Sequence, residues 1–413
     1  MDIKIWKNLD AKEKEQALTR PAQSSSAKVA EIVADIIRNI RKEGDKALFT
    51  YSKELDRFEG SSLELTEEEI SKAQNRTPEA LKSAIDVAYD NIAKFHRAQT
   101  PAHTELETYP GITCRVCTHP IEKVGLYVPG GSAPLVSTAL MLAIPAQIAG
   151  CGEVILCSPP PISDAIIYAA RKAGVKRIFN LGGAQAIAAM AYGTETVPKM
   201  QKIFGPGNQF VTMAKRQVSN DAEGAAIDMP AGPSEVLVIA DDRANPAFVA
   251  ADLLSQAEHG PDSQAILVAL SEHFAQEVLD LDEIQLKELP RREIATQALS
   301  KSAAIVVESL QEAVLVSNTY APEHLILQVE DCDSILMKLH NAGSIFVGPY
   351  TPESLGDYAS GTNHTLPTYG YARTYSALGT DDYRRRYTVQ RATKHGLLKI
   401  SSTVTAMADA EGL

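Results

Sequence analysis

From Lys123 onward, short apolar runs alternate with longer segments whose apolar residues recur at helical spacing. VGLYVPGG, EVILCSPP, RIFNLGG and KIFGPG stop at Gly or Pro and read as strands buried on both faces. Between them, APLVSTALMLAIPAQIAG, DAIIYAARKAG, AQAIAAMAYG and NQFVTMAKRQVSN read as helices. Strand then helix, repeated, predicts a parallel sheet with helices on its faces. A second alternating region follows, with SEVLVIAD, SQAILVAL and AAIVVES as strands and a charged insertion near LDEIQLKELPRRE. Before Lys123 the period is helical. AKEKEQALTR ends before Pro21, and SSSAKVAEIVADIIRNIRKEGDKALFTYSKELD starts at a serine cluster able to cap it. A further long helix is expected from about Pro78 to Ala98, with LTEEE as its charged lead-in, and ISSTVTAMADAEGL reads as a final helix.

These patterns predict an α/β fold of two incomplete Rossmann-like domains with parallel sheets, plus small N- and C-terminal arms. The expected divisions are an arm over 1–20, a first Rossmann-like domain from 21–122 with 235–375, a second over 123–234, and a C-terminal arm over 376–413. The 413 residues, 45% hydrophobic and 22% charged, suffice for domains with cores of their own. A net charge of −12 and a pI near 5.3 argue against a nucleic-acid partner, whose phosphates require clustered Lys and Arg. The densest basic run, RRRY at Arg384–Tyr387, is short. No apolar run reaches membrane-spanning length, and MDIKIWKNLDAKEKEQ is too charged for a signal peptide, so the expected location is the cytoplasm. Five cysteines, an odd number, fit reduced thiols. Cys114 and Cys117 form a CxxC near His119, but Ile112, Cys114 and Val116 alternate as one face of a buried strand would.

The polar residues with chemical capacity gather around a few turns. Ile227–Gly260 runs from a loop through a strand into a helix, with Asn245 placed to cap it and Pro246 at its first position. Gln256 and His259, three residues apart, share a face and suit a metal or a polar substrate; spacing alone equally allows a capped helix end with a solvated His. PGGSAP, GGAQA and GPGN are Gly-rich turns running into helices, able to hold a pyrophosphate on backbone amides. G-x-G-x-x-G is absent, and the same glycines also serve tight turns. In APEHL, Glu323 and His324 stand side by side in an expected irregular turn, a carboxylate and an imidazole able to serve as bases; taken alone, such a pair also fits an ordinary surface turn. The loop GPYTPESLGDYASGTNHTLPTYGYARTYS carries Asp357 and His364. Asp357 with Gln256 and His259 makes a mixed set that zinc accepts.

IDMPAGPSEVLVIAD followed by DLLSQAEHG resembles the signature of the histidinol dehydrogenase family, and further blocks in family order extend from about Lys123 to Tyr375. The resemblance implies a zinc-dependent, NAD-linked four-electron oxidation of L-histidinol through the aldehyde to L-histidine, the end of histidine biosynthesis. It implies Glu323 as the water-activating base, His324 as the proton acceptor, and NAD contacts from Tyr127, Gln185 and Asn208. One zinc per subunit would be held by Gln256, His259 and Asp357, with Ser234, His324 and Glu411 joining them around the substrate. The family's fourth zinc ligand is a His in a tail beyond A-E-x-L, supplied by the other subunit of an intertwined homodimer; the present sequence runs to Gly412 and Leu413. Alternatives are a relative oxidising another small polar alcohol, a zinc hydrolase using the same polar residues, and an inactive binding scaffold.

Overall fold

A computed structural model describes residues 1–20, 26–99, 101, 104–130, 134–229 and 232–413. The expected serine cap at Ser24 and Ser25, and Gly131 to Ala133 of the PGGSAP turn, lie outside these residues. Two parallel sheets form the frame. The five-stranded sheet has the order Arg177–Asn180, Glu153–Ser158, Lys123–Tyr127, Lys202–Phe204, Ala226–Ile227. The six-stranded sheet has the order Asp2–Ile5, Ala303–Val306, Gln264–Ala269, Glu235–Ala240, His324–Gln328, Ser344–Val347. Every residue of Glu235–Ala240 and Gln264–Ala269 is buried, as continuous apolar runs between two helical layers require.

The packing corrects the expected domain divisions. Helices Ser26–Glu43 and Asp45–Asp56 supply Val33, Ile40 and Leu48 to a core shared with Ile155, Phe179 and Ile203 on one face of the five-stranded sheet. Helices Glu67–Arg76 and Glu79–Arg97 supply Ile70, Ile85 and Ile92 to the opposite face, with Leu126 and Leu156. The helical part of 21–122 thus completes the 123–234 sheet and not that of 235–375. Helical stripes mark which face is apolar but not which sheet covers it. The six-stranded sheet is completed by its own helices and by Asp2–Ile5, whose neighbour Trp6 is buried with Ile266 and Ile305. Residues 1–20 therefore form a sheet edge rather than a separate arm. LTEEE is no lead-in: Thr66 and Glu69 make a capping box that opens helix Glu67–Arg76.

Thr104–Tyr109, Ile112–Pro120 and Arg384–Ala392 form an antiparallel ribbon, and helix Lys394–Glu411 follows it. The cysteine-bearing strand is a strand as expected but is only half-buried, and Cys114 and Cys117 are free thiols. The final helix exposes Leu397, Leu398, Val404 and Met407.

Asp282, on helix Glu272–Leu286, is buried, and its Oδ1 has no hydrogen-bond partner among the described residues. Burial pushes its carboxyl from 3.8 up to about 7. The folded protein then keeps this proton through a window where the unfolded chain has lost it, so stability falls as pH rises from about 4 to about 7 and stays low above. Asp282→Asn is expected to flatten that slope and to stabilise the protein at pH 8 by up to about 4 kcal/mol. Urea unfolding of both proteins across this range checks it; parallel curves would show that Asp282 titrates normally.

Candidate active site

The two sheets offer opposite edges. Tyr127 ends its strand, Gly182 and Gly183 follow strand Arg177–Asn180, and Gly205 to Asn208 follow strand Lys202–Phe204: all lie at the carboxyl edge of the five-stranded sheet. Gly205 has φ +121°, and a Cβ there would strike the Tyr127 carbonyl oxygen, so this turn requires glycine. The Tyr127 hydroxyl accepts a hydrogen bond from Gly183 N at 3.1 Å. Gln185 Nε2 donates to Asp56 at 3.0 Å, and Asn208 caps helix Gln209–Ser219 by accepting from Phe210 N at 3.0 Å and Val211 N at 3.1 Å. Asp56, the last residue of its helix, went unrecognised in the sequence because it adjoins no motif.

The amino edge of the six-stranded sheet carries the other group. Glu235 and His324 each begin a strand, and helix Pro246–Ala257, running back antiparallel to strand Glu235–Ala240, returns Gln256 to the same edge. Asn245 accepts from Ala247 N and Pro246 opens the helix, as expected, but the helix stops at Ala257. A turn with His259 N donating to Gln256 O at 3.2 Å carries His259 beyond it into an exposed position. Glu323 and His324 occupy the start of a buried strand and not a free turn: they are 7% and 3% exposed.

Glu235 organises this edge through its backbone. Its N–H donates to Glu323 Oε2 at 2.8 Å, and its carbonyl oxygen lies 3.1 Å from His324 Nδ1. A carbonyl only accepts, so Nδ1 carries a proton and Nε2 is left for chemistry. Nε2 faces Asp357 Oδ1 at 3.6 Å, too long for a hydrogen bond. His324 Nε2, Asp357 Oδ1 and His364 Nε2 are buried atoms without a hydrogen-bond partner among the described residues. Three orphaned atoms from one strand, one helix and one loop mark a place that expects a polar guest.

The expected loop contains a short helix, Glu353–Tyr358, which sets Glu353 one turn before Asp357 on the same face. Glu353 is a site residue missing from the sequence reading; its i, i+4 spacing from Asp357 after Pro352 was the available signal. It is 2% exposed, accepts from Ser255 Oγ at 3.2 Å and takes the Gln256 amide, whose oxygen then accepts from Glu235 N at 3.1 Å. One donor atom each from His259, Glu353 and Asp357 lie within 4.8 Å of one another. Imidazole and carboxylate donors at this spacing suit a divalent metal, with Gln256 directly behind them.

Charge and burial compete here. Burial raises the Glu323 carboxyl and lifts Glu353 to about 8. Burial alone would lower His324, but Glu323, Glu353 and Asp357 together hold it well above its usual range. Burial would raise Asp357, and His324 beside it brings it below the usual carboxylate value. Burial lowers His364.

The family model described as histidinol dehydrogenase matches residues 18–413. The chain belongs to the histidinol dehydrogenase family. Histidinol dehydrogenase of Mannheimia succiniciproducens is 57% identical over 413 residues, covering 100% of this chain and 96% of that protein. The Vibrio vulnificus (strain YJ016) protein of the same name is 56% identical over 409 residues, 99% of this chain and 95% of its own. The crystal structure of histidinol dehydrogenase from Elizabethkingia anophelis has a TM-score of 0.96 at 48% identity, covering 100% and 95% of the two chains. An acetylating aldehyde dehydrogenase from Geobacillus thermoglucosidasius, 16% identical with a TM-score of 0.50 over 92% of this chain and 96% of that one, shares the fold alone.

In this family member, Glu323, His324, Gln256, His259 and Asp357 come together at one edge, while Tyr127, Gln185 and Asn208 cluster at the edge of the other sheet. Ser234 is half-buried immediately before Glu235. Glu411 is exposed, and among the described residues no hydrogen bond or ion pair joins it to Glu323, His324 or Asp357.

Asp357→Asn is expected to weaken binding of a divalent cation at the His259, Glu353 and Asp357 cluster by at least about tenfold, measured with added zinc in competition with a chromophoric chelator. Unchanged affinity would remove Asp357 from the ligand set.

Proposed function

We propose that this chain catalyses the NAD-linked four-electron oxidation of L-histidinol through L-histidinal to L-histidine, the last step of histidine biosynthesis. Family membership makes it an oxidoreductase. The observation that carries the finer reading is the geometry of His324: Nδ1 is pinned to the Glu235 carbonyl while Nε2 stays unpartnered beside Asp357, with Glu323 adjacent. In the first oxidation Nε2 accepts the hydroxyl proton as hydride leaves the carbinol carbon for the nicotinamide. In the second, Glu323 draws a proton from the water that adds to the aldehyde, and the hydrate gives up a second hydride. The sum is R–CH2OH + H2O + 2 NAD+ → R–COO− + 2 NADH + 3 H+.

Tyr127, Gln185 and Asn208 would receive the cofactor at the carboxyl edge, and Ser234 would add a polar contact to the substrate. Gln256, His259 and Asp357 would hold one zinc per subunit, which supplies a fixed anchor for the substrate's imidazole and amine. Asp357 engaged by a cation pulls less on the His324 proton, which leaves Nε2 able to accept one. The exposed apolar side chains Leu397, Leu398, Val404 and Met407, with Glu411 at the end of the same helix, support a homodimer in which a second subunit completes the site. The family's biosynthetic chemistry supports work on a small-molecule substrate and a cytoplasmic location.

NADH absorbance on mixing the protein with histidinol and NAD+ tests the reading. The expected result is two NADH per histidinol, lost on zinc chelation, with His324→Asn slower by about a hundredfold to ten-thousandfold. No NADH from a folded, metal-loaded protein would refute the substrate and point to another alcohol; a near-normal rate for His324→Asn would remove it as the base.

A further inference from the structure

Glu235 spends its backbone on Glu323 and His324, and its side chain is held from elsewhere. Its carboxylate, 3% exposed, receives Arg20 Nε at 2.5 Å and Arg20 Nη2 at 2.8 Å, and Tyr369 N donates to the same carboxylate at 2.8 Å. Arg20 Nη2 also donates to the carbonyls of Tyr320 at 2.9 Å and Ala321 at 3.2 Å, while the guanidinium lies 4.0 Å from the centre of the Tyr320 ring. Tyr320 is fixed in turn by donating to Gln264 Oε1 at 2.8 Å. Tyr320 and Ala321 lead directly into Glu323 and His324, with Ala321 in the left-handed region at φ +54°.

We propose that Arg20 and Glu235 form a positioning pair for the reaction assigned above, one that sets the catalytic Glu323 and His324. One guanidinium grips the carboxylate at the start of strand Glu235–Ala240 and the carbonyls before strand His324–Gln328. The two strand starts are thereby held at the spacing that Glu235 N to Glu323 Oε2 and His324 Nδ1 to Glu235 O require. A buried ion pair is a poor choice for stability alone, because apolar residues of similar volume hold a fold as well or better. What a bidentate guanidinium adds is direction.

The inference rests on the proposed activity but is tested partly apart from it. Arg20→Lys, Arg20→Met and Glu235→Gln are compared with the parent for kcat and KM, the pH profile of kcat, zinc content, thermal midpoint and the ¹⁵N resonances of His324. Arg20→Met is expected to lower kcat about a hundredfold, with zinc content and KM for NAD+ close to the parent's. The pH profile should move, and the Nδ1 proton signal of His324 should shift or exchange faster. Arg20→Lys should recover only part of kcat, since one ammonium lacks the planar fork whose two nitrogens reach the carboxylate and the carbonyls together; it also serves if Arg20→Met does not fold. Arg20→Met combined with Glu235→Gln should be little worse than either alone. A parent-like kcat and pH profile, or an unchanged His324 signal in Arg20→Lys and Glu235→Gln, would overturn the proposal. If the parent makes no NADH from histidinol, the substrate assignment fails by itself, and the His324 signal still decides whether Arg20 sets the imidazole.

Discussion

A buried imidazole beside three acids, Glu323, Glu353 and Asp357, is costly to hold away from water. Little water reaches Glu323, His324 or Glu353, so backbone amides, carbonyls and each other must replace it. Strand starts suit that need. At the amino edge Glu235 presents its N–H to Glu323 and its carbonyl to His324. The flanking elements serve the same end: Ser255 and Gln256 hold Glu353.

The two sheets divide labour by polarity. Strands ending at the carboxyl edge deliver the chain to helix N-termini, whose free N–H groups carry partial positive charge, as at Gln209–Ser219 beyond Asn208. The amino edge receives helix C-termini, with partial negative charge, as at Ala257 before His259. One edge is therefore suited to an anionic group and the other to a cation.

The periodicity made much of this legible. The alternating strands and helices of residues 123–220, the Asn245 cap and the Pro246 start were readable, because each depends on residues adjacent in the chain. The polar residues that meet at the six-stranded sheet were readable only through resemblance to a family, since Gln256, Glu323 and Asp357 lie far apart in sequence. What escaped depended on tertiary placement. Nothing in an amphipathic helix says which of two parallel sheets it will cover, so the helices before Lys123 were given to the wrong one. Glu353 was hidden in a Gly-, Ser- and Thr-rich stretch that read as loop, and Arg20 in a charged segment that read as an arm.

Strand Asp2–Ile5 pairs with Ala303–Val306, and Ile112–Pro120 with Arg384–Ala392. These contacts join segments that leave the ribosome far apart in time. The strands of the five-stranded sheet and the helices on its faces lie before residue 230, so they are made first, and Leu378 and Tyr383 are added later to complete one side of their core. The six-stranded sheet must wait for its C-terminal strands while Trp6 and its neighbours stay without their final cover. Arg20 and Glu235 likewise cannot act on Glu323 until synthesis has passed it. Competence for chemistry is among the last properties this chain acquires as it is made.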